Sequence, residues 1–190
     1  MIKPKKFSVE KGNYLYPLPA VLVSCGKTKS EANLITISWT GTINSEPPML
    51  YISIRKNRHS YDIIKRHHEF VINLTDKTML EAVDFNGVKS GRDYDKFKES
   101  NFTPGASQKI DTLLIQEAPV NIECKVNRVL SLGSHDMFIA DVVNVQAVEN
   151  YINKKTGKID FTGNELLSYA NKNYYSIGES LERVGFSVKK

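Results

Sequence analysis

Cysteine is scarce in this chain of 190 residues: there are two, Cys25 and Cys124, far apart and each in an apolar, strand-like run. Neither has a CxxC neighbour, so a thioredoxin-type motif and a cysteine metal site are unsupported. Two buried, reduced thiols are the expectation. Long apolar runs are missing as well. Lys3, Lys5 and Lys6 stand near the N-terminus, but the apolar stretch after them is broken by Pro17 and Pro19. No signal peptide is expected, and cytoplasm is the default location. No run approaches the ~20 apolar residues of a membrane span. Walker and dinucleotide glycine patterns are absent too: "GVKSG" (residues 87–91) has neither the spacing nor the Gly-Lys-Ser/Thr ending of a P-loop. HExxH is missing, and the neighbours His67, His68 and Glu69 face different directions on a helix. A solvated helix end is expected there, with no metal site.

What is present is an ordinary globular composition, 41% hydrophobic and 25% charged, with a mean hydropathy of -0.34. The length predicts one domain over residues 1–190, large enough to bury a core without staples. A net charge of +5 favours anionic partners without choosing among them. The first half reads as strands: "AVLVSCG", "NLITISWTGTIN", "PMLYISIR" and "EFVINLT", with Pro47-Pro48 marking a turn. Ser60 is expected to cap a helix over "YDIIKRHH", and Thr78 with Glu81 forms a capping-box pattern before "MLEAVDF". "SGRDYDKFKES" predicts a short helix with Tyr94 and Phe97 on one side. Strands return from "APVNIECKV" onward, with "LSLGSHD" as a hairpin turn, and "NELLSYANKNYYSIGE" reads as an irregular aromatic tail. Helices do not alternate regularly with strands, which disfavours a doubly wound parallel sheet. The expected fold is mainly β (α+β), an antiparallel barrel with short helices over its openings, an arrangement that removes exposed strand edges.

One stretch carries chemistry. In "MLYISIRKNRHSYDIIKRHHEF" a strand ends in Arg55, Lys56 and Arg58, and Ser60 follows at a helix start. Like charges repel, so the crowding costs energy unless an anion sits among them. Cationic donors, a hydroxyl and the free N–H groups of a helix N-terminus together describe a monophosphate site. The helix dipole contributes about 0.3–1 kcal/mol at such an end. Charge-assisted hydrogen bonds, at roughly 1.5–3 kcal/mol each, dominate it. A solvated basic loop fits the local pattern equally well. His135, at the hairpin turn, is either exposed or faces a pocket. Trp39, the single tryptophan, is either core or a ligand contact.

The order and spacing of these pieces resemble the flavin reductase-like domain, in particular the flavoredoxin group. The likeness runs from about Tyr16 to Glu179, through "NLITISWTGTINSEPPMLYISIRKNRHSYDIIKRHHEFVINL", "SGRDYDKF", "APVNIECKV", "LGSHDMFIADVVNV" and "YYSIGE". It implies an FMN-binding split β-barrel, a homodimer with flavin at the subunit interface. Arg55, Lys56, Arg58 and Ser60 then fall where the family holds the FMN phosphate. Asn33, Ser38, Trp39 and Thr40 fall at the isoalloxazine or ribityl chain. Ser90 and Lys96 match a loop-helix that closes over the flavin. His135 falls on the nicotinamide or substrate side of the ring, and Tyr174 and Tyr175 shape the pocket from the tail.

The resemblance implies NAD(P)H:flavin oxidoreductase activity, with hydride passing to flavin N5 and electrons going on to an acceptor such as a redox protein. Such chemistry needs stacked rings and no protein nucleophile or base, which agrees with the missing catalytic dyad. Backbone N–H groups and Lys96 are expected to stabilise negative charge near N1 and the C2 carbonyl. A non-catalytic FMN-binding or flavin-carrier protein of the same fold is the alternative. Single-stranded nucleic acid is disfavoured, because it needs aromatics and cations along a groove and here the cations concentrate at residues 55–58.

Overall fold

The computed structural model describes residues 3–163 and 165–188. Its elements, in chain order, begin with β1 (Leu18–Pro19), β2 (Val21–Cys25), β3 (Asn33–Ile37), β4 (Thr40–Ser45) and β5 (Pro48–Ile54). Next come α1 (His59–His67), β6 (Glu69–Asn73), α2 (Leu80–Val88), α3 (Lys96–Glu99), β7 (Pro104–Gly105) and β8 (Leu114–Ile115). The chain then runs through β9 (Val120–Ser131), β10 (Asp136–Ala147), β11 (Leu167–Ala170) and β12 (Asn173–Ser176).

Seven strands form one antiparallel sheet in the order β3-β2-β6-β9-β10-β5-β4. Its two edge strands, β3 and β4, are consecutive in sequence. Ile37 and Thr40 are three residues apart, so the edges come within about 11 Å of each other. The sheet must therefore curl upon itself, and the Ser38-Trp39 corner ties its margins together as a split barrel. The Trp39 carbonyl accepts from the Ser53 N–H at 2.9 Å, which fixes that corner.

Alternation along β2 builds two cores from one strand. Val21, Val23 and Cys25 point into the barrel with Ile35, Ile52, Phe70, Cys124 and Phe138. Leu22 points outward with Ala20 to Leu34, Val83, Phe97 and Ile115. Burying a side chain such as Phe138 contributes roughly 1.5–3 kcal/mol. The helix α1 closes one end of the barrel, where Tyr61, Ile63 and Ile64 join the inner cluster. Tyr61 meets the Phe138 ring edge-on at 5.5 Å. Both cysteines are buried free thiols, and burial pushes the Cys25 thiol up to about 12.

The caps and short elements differ from the sequence expectation more than the architecture does. Arg58, not Ser60, holds the N-cap position of α1 and makes no side-chain cap, while Ser60 is buried in the first turn. The Asp76 carboxylate, not Thr78, caps the next helical turn by accepting from the Thr78 N–H at 2.9 Å. The helix in "SGRDYDKFKES" shrinks to α3, capped by Asp95, with Phe97 buried and Tyr94 outside it against Phe85. The supposedly irregular tail is a hairpin, β11–β12, turning at Asn171 and Lys172. The helix end at His67 is not merely solvated: His67 Nε2 lies 2.8 Å from Glu31 Oε2, and Arg66 also pairs with Glu31. Those two partners and the Lys27 N–H hold the Glu31 carboxyl down at about 2. No helix among the described residues is long and apolar enough to cross a membrane.

Candidate functional site

At the mouth of the barrel beside α1 two cavities adjoin, sharing Ile35 and Arg58. The smaller, about 140 Å³, is lined by Asn33, Ile35, Asn57, Arg58, His59, Ser60, Asn86, Lys89, Ser90, Arg92 and Lys96. Four cations and no carboxylate stand in that lining. The N–H groups of His59 and Ser60 begin α1, where a helix has no internal acceptor for them. The larger, about 290 Å³, runs along residues 35–39 to Ser53, Ile54, Arg55, Arg58, His135 and Tyr169. One end is crowded with cations; the other sets Trp39 and Tyr169 beside Arg55, Arg58 and His135.

Several polar groups in the small cavity are held in place. Ser60 Oγ, almost wholly buried, accepts from Asn33 Nδ2 at 2.7 Å, so the two act as a pair. Lys96 is only 3% exposed, and its Nζ donates to the carbonyls of Leu34 (2.9 Å) and Asn86 (2.8 Å). Burial, reinforced by Arg58, pushes its ammonium down to about 8. Burial and the nearby Arg92 likewise lower His59, which favours its neutral form. Arg92 Nη1 donates to the Asn57 carbonyl at 3.1 Å and so ties the loop before α3 to the loop before α1. That loop packs closely: a Cβ on Gly91 would sit 2.0 Å from Asn33 Oδ1 and 3.0 Å from His59 Cδ2. Asn86 Oδ1 is buried with no hydrogen-bond partner, an acceptor awaiting a donor.

Of the residues singled out in the sequence, Asn33, Arg58, Ser60, Ser90 and Lys96 meet in the small cavity, and Ser38, Trp39, Arg55 and His135 in the groove. Burial, then Arg55 and Arg58, lower the His135 ring below its usual value. Four other residues singled out in the sequence line neither cavity. Thr40 lines neither cavity, because its hydroxyl donates to the Tyr51 carbonyl across the β4–β5 pair. Lys56 turns away to Asp136 (3.3 Å) and Ser131 (3.1 Å). Tyr174 donates to Asp84 at 3.3 Å and Tyr175 is exposed; it is Tyr169 that reaches the groove, edge-on to Trp39 at 6.3 Å. Lys89, Arg92 and Tyr169 line the cavities without having been expected there from the sequence. The first two carried the signal that marked residues 55–58, cations crowding a loop. The third needed β11 to be seen as a strand.

A curled antiparallel barrel with a cationic pocket at its internal helix, and a groove lined by Trp39 and Tyr169 beside it, is a split barrel. The chain belongs to the flavin reductase like domain family, which it matches over residues 13–178. The flavoredoxin of Desulfovibrio vulgaris superposes with a TM-score of 0.89 at 27% identity, covering 97% of this chain and 100% of that one. The flavoredoxin of Methanosarcina acetivorans gives 0.86 at 24% identity, covering 98% of each. An uncharacterised protein of Pyrococcus abyssi is 33% identical over 129 residues, 68% of this chain and 73% of that protein.

Proposed function

We propose that the chain binds FMN across the two joined cavities and serves as a flavin oxidoreductase, with NAD(P)H as reductant. The observation that carries this is the continuity of a carboxylate-free cationic pocket with an aromatic groove through Ile35 and Arg58. Family membership and the flavoredoxin likeness point the same way.

The residues fit the group. Arg58, Arg92, Lys89, Lys96 and the first N–H groups of α1 match a phosphate dianion. The orphaned Asn86 Oδ1 matches a ribityl hydroxyl, a donor on a polyol chain. Trp39, Tyr169, Ile35 and Ile37 give the ring apolar walls, and His135 lies on the groove as a neutral hydrogen-bonding group. When bound here, FMN would supply the chemistry of hydride and electron-pair transfer, which no side chain of the protein provides. The protein's own part is to orient the ring, exclude water from one face and stabilise negative charge on it. A homodimer is part of this proposal.

The test is an absorbance spectrum of the purified protein with FMN, taken without oxygen before and after NADH or NADPH. Flavin bands that bleach are expected. Bands that persist would leave a flavin carrier, and a protein that ignores FMN would overturn the assignment. Arg58→Ala should cost FMN affinity at least about ten-fold more than riboflavin affinity, the size of one lost charge-assisted hydrogen bond. Equal losses for the two ligands would remove the phosphate from this pocket.

A further inference from the structure

Lys56 stands in the cation cluster of residues 55–58 yet lines neither cavity. Its Nζ donates to Ser131 Oγ at 3.1 Å and lies 3.3 Å from Asp136 Oδ1. The same carboxylate oxygen accepts from Ser131 Oγ at 2.9 Å, and Asp136 Oδ2 accepts from Tyr61 OH at 2.6 Å. Asp136 is 5% exposed. Four side chains from four places therefore converge: the loop after β5, the first turn of α1, the end of β9 and the start of β10.

We propose that Lys56 and Asp136 form a positioning lock that holds the anion-binding loop, residues 55–58, in register with the hairpin turn carrying His135. Two of the locked residues are sequence neighbours of groove residues. Arg55 precedes Lys56, and His135 precedes Asp136. At a strand start, successive side chains point to opposite sides. Fixing Asp136 on the Tyr61 side thus presents His135 to the groove, and fixing Lys56 limits where Arg55 and Arg58 can stand. The β9–β10 and β5–β10 ladders hold the base of the turn, with Asp136 opposite Ser131 and Ile54. Beyond them Gly133 adopts a φ of 97°, Leu132 N–H donates to the His135 carbonyl at 3.0 Å, and Ser134 Oγ lies 2.9 Å from His135 Nδ1; the lock adds side-chain bonds to this backbone frame. Charges agree with the geometry. The Tyr61 bond, with Ser131 and Lys56 behind it, holds the Asp136 carboxyl below its usual range, and the same bond, with burial, pushes the Tyr61 phenol up to about 12. An ionised acceptor and a protonated donor make the strong form of such a bond.

The inference rests on FMN as the ligand, and its test separates the two questions by the sign of an effect. If Lys56 were a direct phosphate ligand, Asp136→Asn would free it and remove a competing negative charge, so FMN would bind more tightly. As a lock, Asp136→Asn weakens FMN binding. Titrations of FMN and riboflavin against wild type, Lys56→Met, Asp136→Asn and the double variant read this directly. Each single variant is expected to lose roughly ten-fold in FMN affinity, the scale of a bond to a charged group. Riboflavin should be affected less, and the double variant should be little worse than the weaker single, because coupled residues are not additive. Lys56→Arg should restore most of the loss.

Tighter FMN binding in Asp136→Asn, or full additivity, overturns the lock. Should Asp136→Asn not fold, Tyr61→Phe asks the same question from the other end, where a smaller loss of the same sign is expected and wild-type affinity refutes the proposal. A wild-type protein that binds neither flavin would instead refute the FMN assignment itself.

Discussion

Lys96 carries the most informative single charge in the pocket. It is buried, it donates to two carbonyls, and its ammonium is held down at about 8 by burial and by Arg58. Two neighbours are shifted away from its range: burial pushes the Cys25 thiol up to about 12, and burial with Arg92 lowers His59. A phosphate dianion placed beside it favours the charged lysine. Above pH ~8, binding must therefore take up a proton, so FMN affinity falls as pH rises until the lysine of the complex itself discharges. Each unit by which the ligand raises that lysine is worth about ten-fold in affinity. Below pH ~6 the phosphate itself protonates and affinity falls again. Lys96→Met should bind FMN more weakly at pH 7 and lose the alkaline limb, as titrations from pH 6.5 to 9.5 would report. A wild-type curve flat through pH 8 to 9.5 would take Lys96 away from the phosphate. The residue was legible in the sequence only through family resemblance, because nothing local announces that an amphipathic helix buries its lysine.

Among the elements, strands were legible and their ends were not. The runs of Val, Ile and Phe in β2, β3, β5 and β6 show themselves because burial on one or both faces leaves a pattern along the chain. Caps and turns depend on which side chain wins a local competition. Asp76 accepts from the Thr78 N–H before Thr78 can cap anything, and Ser60 is drawn into the core by Asn33. The β11–β12 hairpin is hard to see in the sequence for a similar reason. Its turn residues, Asn171 and Lys172, have φ of 46° and 66°, the left-handed pair of a type I′ turn. Asn-Lys is a poor signature for a turn that prefers Asn-Gly. The hairpin positions Tyr169 against Trp39, so its stability bears on the groove. Lys172→Gly should relieve the strain of a side chain in that region and raise stability by about 1 kcal/mol. Urea unfolding would measure it as a higher midpoint at unchanged slope; an unchanged or lowered midpoint would argue that the lysine side chain is needed where it is.

At the scale of the whole molecule, both terminal segments leave apolar side chains in water. Phe7, Val9, Tyr14 and Leu15 project from the segment before β1, and Leu181, Val184, Phe186 and Val188 from the segment after β12. Val184 has no cover at all, and Leu15 is 84% exposed. Scattered apolar residues on a surface need no explanation, but two segments exposing several large ones each are a different matter. The first runs from the described N-terminus toward Trp39, where Tyr14, Leu15 and Trp39 line one recess. A second copy of the chain covering these segments would lie against the ring end of the proposed flavin site, and the anion pocket beside α1 would remain within one chain. Phosphate binding and ring binding then depend differently on assembly. Sedimentation should report a dimer, and dilution below its dissociation constant should weaken riboflavin, which has only the ring, by a larger factor than inorganic phosphate. A monomer that holds riboflavin at full affinity would mean that one barrel encloses the whole ring, and that the exposed terminal residues serve some other contact.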